Sequence, residues 1–271
     1  MYHIPAHPKK SLGQNFLKDE NIARKIIASL NLKSGDCVLE IGPGTGVLTK
    51  YLVQHAMKVV AIEIDKNLVA QLSNQNISAT NFLLYQNDIL KISFEEILPG
   101  EQRWKAVANL PYHITSPVLF KLFEQRHFFE SATLMVQKEV AQRMVAKPST
   151  KAYGILSVFS QCYAETKILF EVSKHVFFPK PDVISAVVRL EFNKPGLLDE
   201  YEETIFRQVV RGTFNQRRKM LRNSLLAIAD LVIDLNKIHF DLKQRPEQLS
   251  VSDFVELTKQ IVGQIDNLSY C

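Results

Sequence analysis

Cysteine is scarce in this chain: three among 271 residues, Cys37, Cys162 and Cys271. An odd number at wide spacing, with no CxxC, argues against a disulfide framework and for a reducing, cytoplasmic setting. The seven histidines are scattered without ligand spacing, so no metal is expected. No apolar run is long and charge-free enough to cross a membrane. The opening MYHIPAHPKK lacks the apolar core of a signal peptide. The phosphate-cradling pattern GxxxxGK(S/T) is also absent. Acid is missing from one long stretch: Ile205 to Ala229 holds no Asp or Glu but six bases, Arg207, Arg211, Arg217, Arg218, Lys219 and Arg222.

What is present is an ordinary globular composition, 46% hydrophobic and 23% charged, with a net charge of +5. The length allows a domain of about 190–200 residues followed by a smaller one. A second basic group, Lys9, Lys10, Lys18, Arg24 and Lys25, lies near the start. Two such clusters in a basic chain raise the case for a nucleic-acid partner against that for two solvated faces.

Short β-branched runs predict strands at Cys37–Ile41, Val59–Ile64, Phe82–Tyr85, Ala106–Ala108, Ala132–Gln137, Ile168–Val172 and Ala186–Phe192. Helical faces fall between them: Val47, Leu48, Tyr51 and Leu52; Leu68, Val69 and Leu72; Val118, Leu119, Leu122 and Phe123. Strand–helix alternation implies a parallel α/β sheet covered on both sides, with right-handed crossovers. The last two strands lack that rhythm, so an antiparallel edge strand is expected. After Asn193-Lys194-Pro195-Gly196 the pattern turns wholly helical. The expected domains are therefore 1–195 and 196–271.

The first strand runs into Glu40-Ile41-Gly42-Pro43-Gly44-Thr45-Gly46. Such glycines permit a tight turn and close approach of a ligand to the backbone. The third falls one position short of the dinucleotide pattern GxGxxG, which argues against NAD. Glu63, Asp88 and Asn109 then sit at the ends of the next three strands, in the crevice where open α/β sheets bind ligands. A carboxylate at Glu63 suits the two hydroxyls of a ribose. Acids around a crevice repel polyphosphate and suit a nucleoside that carries positive charge, as S-adenosylmethionine does.

The fourth strand ends in Asn109-Leu110-Pro111-Tyr112. In that reading the Asn109 amide oxygen and the Leu110 carbonyl accept hydrogen bonds from the exocyclic amine of an adenine. Pro111 stiffens the turn, and Tyr112 offers a face on which an extruded base stacks. Phe177, at the head of Phe177-Phe178-Pro179-Lys180-Pro181-Asp182-Val183-Ile184-Ser185, is expected on the other face of the base.

With these motifs, and with Ser11-Leu12-Gly13-Gln14-Asn15-Phe16-Leu17, Glu63-Ile64-Asp65 and Phe214 to Leu225, the chain resembles the ribosomal RNA adenine dimethyltransferases. The likeness spans nearly the whole chain in the family's order, and its wording is nearest the small-subunit branch. Position 113 is His and position 178 is Phe, read as tolerated variation. The resemblance implies a class I S-adenosylmethionine-dependent methyltransferase sheet, Rossmann-like, of seven strands with the last antiparallel, and a small all-helical C-terminal domain. It implies N6,N6-dimethylation of two adjacent adenosines in a hairpin loop near the 3′ end of small-subunit rRNA during subunit assembly, by a monomer without metal. Cofactor contacts are expected at Asn15, Leu17, Gly42, Gly44, Glu63, Asp88 and Asn109. The reacting amine and its base are expected at Asn109, Leu110, Pro111, Tyr112 and Phe177.

In the helical domain, Gly212 and Asn215 are expected to break the basic stretch into two helices, with Leu221, Leu225 and Ile228 on an apolar face. Arg217, Arg218, Lys219 and Arg222 are the expected phosphate contacts, although pairing with acids on the main domain competes for Arg217 and Arg222. Two other readings stay open: a large-subunit rRNA methyltransferase of the macrolide-resistance type, and a non-catalytic ribosome assembly factor.

Overall fold

The computed structural model describes residues 8–74, 80–100, 102–193, 196–229, 231 and 233–268. Cys271, and Lys194 and Pro195 of the expected domain boundary, lie outside them. The chain forms two compact units. One takes the chain up to Ala141 and Glu165–Asn193; the other takes Gln142–Ala164 and the chain after Asn193.

The first unit is built on a seven-stranded sheet. Its strands are β1 (Cys37–Ile41), β2 (Lys58–Glu63), β3 (Phe82–Gln86), β4 (Trp104–Asn109), β5 (Phe129–Gln137), β6 (Glu165–Val172) and β7 (Ser185–Glu191). In space they run β3-β2-β1-β4-β5-β7-β6. The first five are mutually parallel; β7 lies antiparallel between β5 and β6. The expected seven strands and the antiparallel last strand are thus observed, but that strand lies inside the sheet and not at the expected edge, because β6 takes the edge beside it. The central strands have no alternating face because both sides are covered: every residue of β1 is buried. β6, at one edge, carries Glu165, Lys167 and Glu171 and a register shift between Ile168 and Phe170. Charges and bulges of this kind keep an edge strand from pairing with another chain.

Helices fill the crossovers. α1 (Glu20–Ser29) precedes the sheet and starts at Asp19, whose carboxylate accepts from the Asn21 and Ile22 amides. Its buried Ala23, Ile26 and Ile27 follow helical spacing. α2 (Thr49–His55), α3 (Lys66–Asn74), α4 (Phe94–Ile97) and α5 (Thr115–Glu124) follow β1, β2, β3 and β4. α5 buries Val118, Leu119, Leu122 and Phe123, the face expected from the sequence. Before α1, Phe16 and Leu17 pair antiparallel with Phe178 and Phe177, a contact across 160 residues that no local pattern announces. The chain leaves β5 through α6 (Lys138–Met144).

The second unit holds α7 (Ile155–Tyr163), α8 (Glu200–Asn215), α9 (Leu221–Leu225) and α10 (Val251–Leu268). Asp199 and Glu202 cap α8 reciprocally. Its buried Phe206 packs on Phe159, and Phe214 stacks on Phe254 with ring centroids 5.8 Å apart. The expected break into two helices falls at Asn215, where α8 ends before α9, and not at Gly212, which α8 runs through. A Cβ at Gly212 would lie 2.6 Å from Ile228 Cγ1, so glycine serves close packing there rather than helix termination. Leu221, Leu225 and Ile228 are buried as expected.

Candidate active site

The order of parallel strands reverses between β1 and β4, and the carboxyl ends of β1, β2, β3 and β4 open into a cavity of about 270 Å³ in the first unit. This is the switch point at which doubly wound sheets bind ligands. Two sharp turns shape its floor. Gly42 and Gly44 have φ of +67° and +59°, which favours glycine. A Cβ at Gly44 would meet the Phe16 ring at 3.3 Å. Leaving out side chains here opens the backbone to close approach from the cavity. Gly44 N–H donates to Glu63 Oε2 at 3.1 Å, so the loop and the second strand's acid are tied together.

Glu63 is only 5% exposed. Burial pushes its carboxyl above the usual range, against hydrogen bonds from the Asp65 and Gly44 amides. Glu40, deeper, accepts from Thr49 Oγ1 at 2.7 Å. Burial, with the Glu63 charge adding to it, pushes Glu40 up to about 8, so it is mainly neutral at pH 7. Asp88 is half-buried at the mouth; its Oδ1 accepts from the Leu90 amide. The acidic residues lining the cavity are Glu40, Glu63 and Asp88, and among the described residues no Lys or Arg lines it.

The Asn109–Tyr112 turn forms one wall. Asn109 Nδ2 donates to the Asn15 carbonyl at 3.0 Å. A carbonyl only accepts, so the Asn109 atom facing it is nitrogen and Oδ1 points elsewhere. Leu110 is buried, its amide donating to the Met135 carbonyl. The Tyr112 hydroxyl lies 2.9 Å from Ser185 Oγ. Burial raises the Tyr112 phenol despite that bond, so it stays protonated and offers a ring, not a base.

The structure therefore brings Asn15, Leu17, Gly42, Gly44, Glu63, Asp88, Asn109, Leu110, Pro111 and Tyr112 to one cavity. Phe177 is not among its lining residues. The Leu17–Phe177 pairing turns that ring into the core with Ile26, Leu30 and Val187, and it is 2% exposed, whereas Phe178 is 42% exposed. Here the Phe177 ring is a core side chain and not part of the cavity wall where a base is expected. Sequence reading also gave no role to Gln14 and Asp65, though both stand in quoted motifs.

In the second unit, the expected phosphate contacts divide. Arg218, Lys219 and Arg222 are exposed. Arg217 is committed within the unit: its Nε meets Glu247 Oε2 at 2.5 Å, and its terminal nitrogens donate to the Thr150 and Lys151 carbonyls. The competing acid is thus in the helical unit and not on the main domain, and Arg217 braces that unit with a side chain still 37% exposed. Among the described residues no group of His, Cys, Asp or Glu is arranged to hold a metal ion, and no helix is long and apolar enough to cross a membrane.

The ribosomal RNA adenine dimethylase family matches residues 6–262. The chain belongs to that family. It is 44% identical over 259 residues, 96% of this chain and 95% of the relative, to Ribosomal RNA small subunit methyltransferase A of Chlorobium phaeobacteroides. It is 40% identical over 256 residues, 93% of each, to the protein of that name from Clostridium acetobutylicum. Among solved structures, a dimethyladenosine transferase from Plasmodium falciparum superposes with a TM-score of 0.77 at 28% identity, over 92% of this chain and 98% of that one. The 23S rRNA methyltransferase ErmE superposes with a TM-score of 0.68 at 25% identity, over 91% and 99%. This family membership fits both the acid-lined cavity and the Asn109–Tyr112 wall.

Proposed function

We propose that the chain dimethylates N6 of two adjacent adenosines in small-subunit rRNA, with S-adenosylmethionine as methyl donor. The observation that carries the reading is the cavity lined, among the described residues, by acids without Lys or Arg and walled by Asn109-Leu110-Pro111-Tyr112. Such a lining suits a cationic nucleoside and disfavours a polyphosphate. The donor supplies an electrophilic methyl group on a sulfonium and leaves as a neutral thioether, so the protein's task is chiefly positioning. Gly42 and Gly44 admit the donor to the backbone, Glu63 accepts the ribose hydroxyls, and Asp88 receives the adenine edge. Asn15 and Leu17 cover it. Asn109 Oδ1, freed by the bond from Nδ2 to Asn15, and the Leu110 carbonyl accept from the target amine and aim its lone pair. Tyr112 stacks on the extruded base, which is worth roughly 1–3 kcal/mol in single-strand binders. Arg218, Lys219 and Arg222 grip RNA phosphates without reading sequence.

The relatives at 40–44% identity carry the small-subunit name, which favours that branch over the large-subunit one represented at 25% identity. The test is transfer of labelled methyl from S-adenosylmethionine to small subunits that lack the modification, with large subunits alongside. Label recovered as N6,N6-dimethyladenosine from small-subunit RNA is the expected result. Label in large-subunit RNA reassigns the substrate. Cofactor binding without transfer to either favours the assembly-factor reading.

A further inference from the structure

Three side chains beside the cavity take no part in the chemistry above: Lys9, Gln14 and Asp65. They are joined. Asp65 is 4% exposed; its Oδ1 accepts from Lys9 Nζ at 2.7 Å and its Oδ2 from Gln14 Nε2 at 3.0 Å. The other end of the Gln14 amide accepts from the Lys9 backbone N–H at 2.7 Å. Burial works to raise the Asp65 carboxyl, but the bonds from Lys9, Gln14 and the Asn67 amide hold it below the usual carboxylate range.

This cluster touches both halves of the site through one residue on each side. The Asp65 amide donates to Glu63 Oε1 at 2.9 Å. Gln14 is followed by Asn15, whose carbonyl fixes the Asn109 amide, and then by Phe16, whose ring rests against Gly44. On the other flank of Gln14, Gly13 has φ +58°, and a Cβ there would stand 2.8 Å from His113 Nδ1, so the segment also lies directly on the target turn. A buried carboxylate that caps α3 through the Asn67 amide and also holds one short segment with both of its oxygens, between the ribose acid and the target asparagine, does more than close a surface.

We propose that Lys9, Gln14 and Asp65 form a latch. It holds segment 13–17 down and so sets the orientation of Glu63 toward the donor and of Asn109 toward the target amine. All three are positioning residues, and the roles of Glu63 and Asn109 rest on the function proposed above. The latch makes cofactor binding and amine alignment depend on the same hydrogen bonds.

The direction of the Gln14–Asp65 bond supplies the test. Gln14→Glu sets two carboxylates against each other, and Asp65→Asn sets donor against donor. The double exchange, Gln14→Glu with Asp65→Asn, restores the bond with donor and acceptor reversed. Four readouts apply to the full chain: hydrogen exchange of the amides of residues 16–18 without ligand, S-adenosylmethionine affinity by calorimetry, single-turnover transfer at saturating cofactor, and RNA affinity. Each single variant is expected to speed exchange, weaken cofactor binding about tenfold and slow transfer about tenfold, with RNA affinity within about twofold. The double exchange is expected to return every readout to within about threefold of the parent. Single variants that leave cofactor affinity and transfer within about twofold of the parent overturn the latch. So does a double exchange whose losses merely add, the mark of contacts that only stabilise the fold. If the parent itself neither binds the cofactor nor methylates RNA, the proposed function fails. Exchange then decides the latch alone: loosening in the singles with recovery in the pair supports it, and unchanged exchange overturns it.

Discussion

The cavity and the stretch from Ile205 to Ala229 are opposites in charge. The first is lined, among the described residues, by three acids and no Lys or Arg; the second has six bases and no acid. Counting overstates both. Glu40 is neutralised by burial, which leaves Glu63 and Asp88 as the acids with a ligand to meet. Arg207 and Arg217 are paired with Glu203 and Glu247, while Arg218, Lys219 and Arg222 stand exposed. A ligand's sign is selected by the charges that remain after burial and pairing. A cationic donor and a polyanionic substrate can thereby be served by one chain without competing for a surface.

Substitutions that act on one region and spare the other sharpen this contrast. The largest effect is expected from Asn109→Ala, which should slow transfer by at least about a hundredfold, roughly 2.7 kcal/mol in the barrier, with RNA affinity unchanged. A loss below about tenfold, roughly 1.4 kcal/mol, would show that the amide does not align the amine. Next, reversing Arg218 and Arg222 together to Glu should leave cofactor affinity intact and weaken RNA binding at least about tenfold, with a salt slope shallower by about two. An unchanged slope would break the contrast. Arg217→Met should do the reverse, costing about 1–2 kcal/mol of stability in a denaturant titration while the salt slope of RNA binding stays put.

The smallest effect is a matter of slope. Glu40 holds a proton in the folded chain up to about pH 8, whereas the unfolded carboxyl releases it near its ordinary value. The unfolded state therefore binds fewer protons across that window, and stability falls as pH rises from the ordinary carboxylate range through about 8. Glu40→Gln should flatten that decline in melting temperature against pH. An unaltered decline would mean that Glu40 is ionised in the folded protein.

Most of the sheet was legible because its strands are apolar runs bounded by polar turns, and the buried face of α5 followed from 3.6-residue spacing. Asn109 and Glu63 were legible because each ends such a run. Residues whose surroundings come from distant sequence were not. Phe177 looked like a base-facing ring until its pairing with Leu17, on a segment before the sheet, placed it in the core. Arg217 was open to pairing from the sequence, yet its partner Glu247 stands 30 residues on, in the helical unit and not on the main domain. Gly212 looked like a helix breaker because nothing in the local pattern discloses that Ile228 packs against it. Gln14 and Asp65 were visible as motif letters, but 51 residues separate them, and their bond is a fact of the fold alone.

The place of β7 has a consequence for the newly made chain. It is the last strand of the sheet in sequence, yet it lies inside, and among the described residues β6 pairs with no other strand. Until residue 191 has emerged during synthesis, β5 presents an open edge and β6 has nothing to join. A nascent chain that stalls before that point therefore carries two unpaired edges, which are templates for aggregation. Completing translation through Glu191 is what closes the sheet.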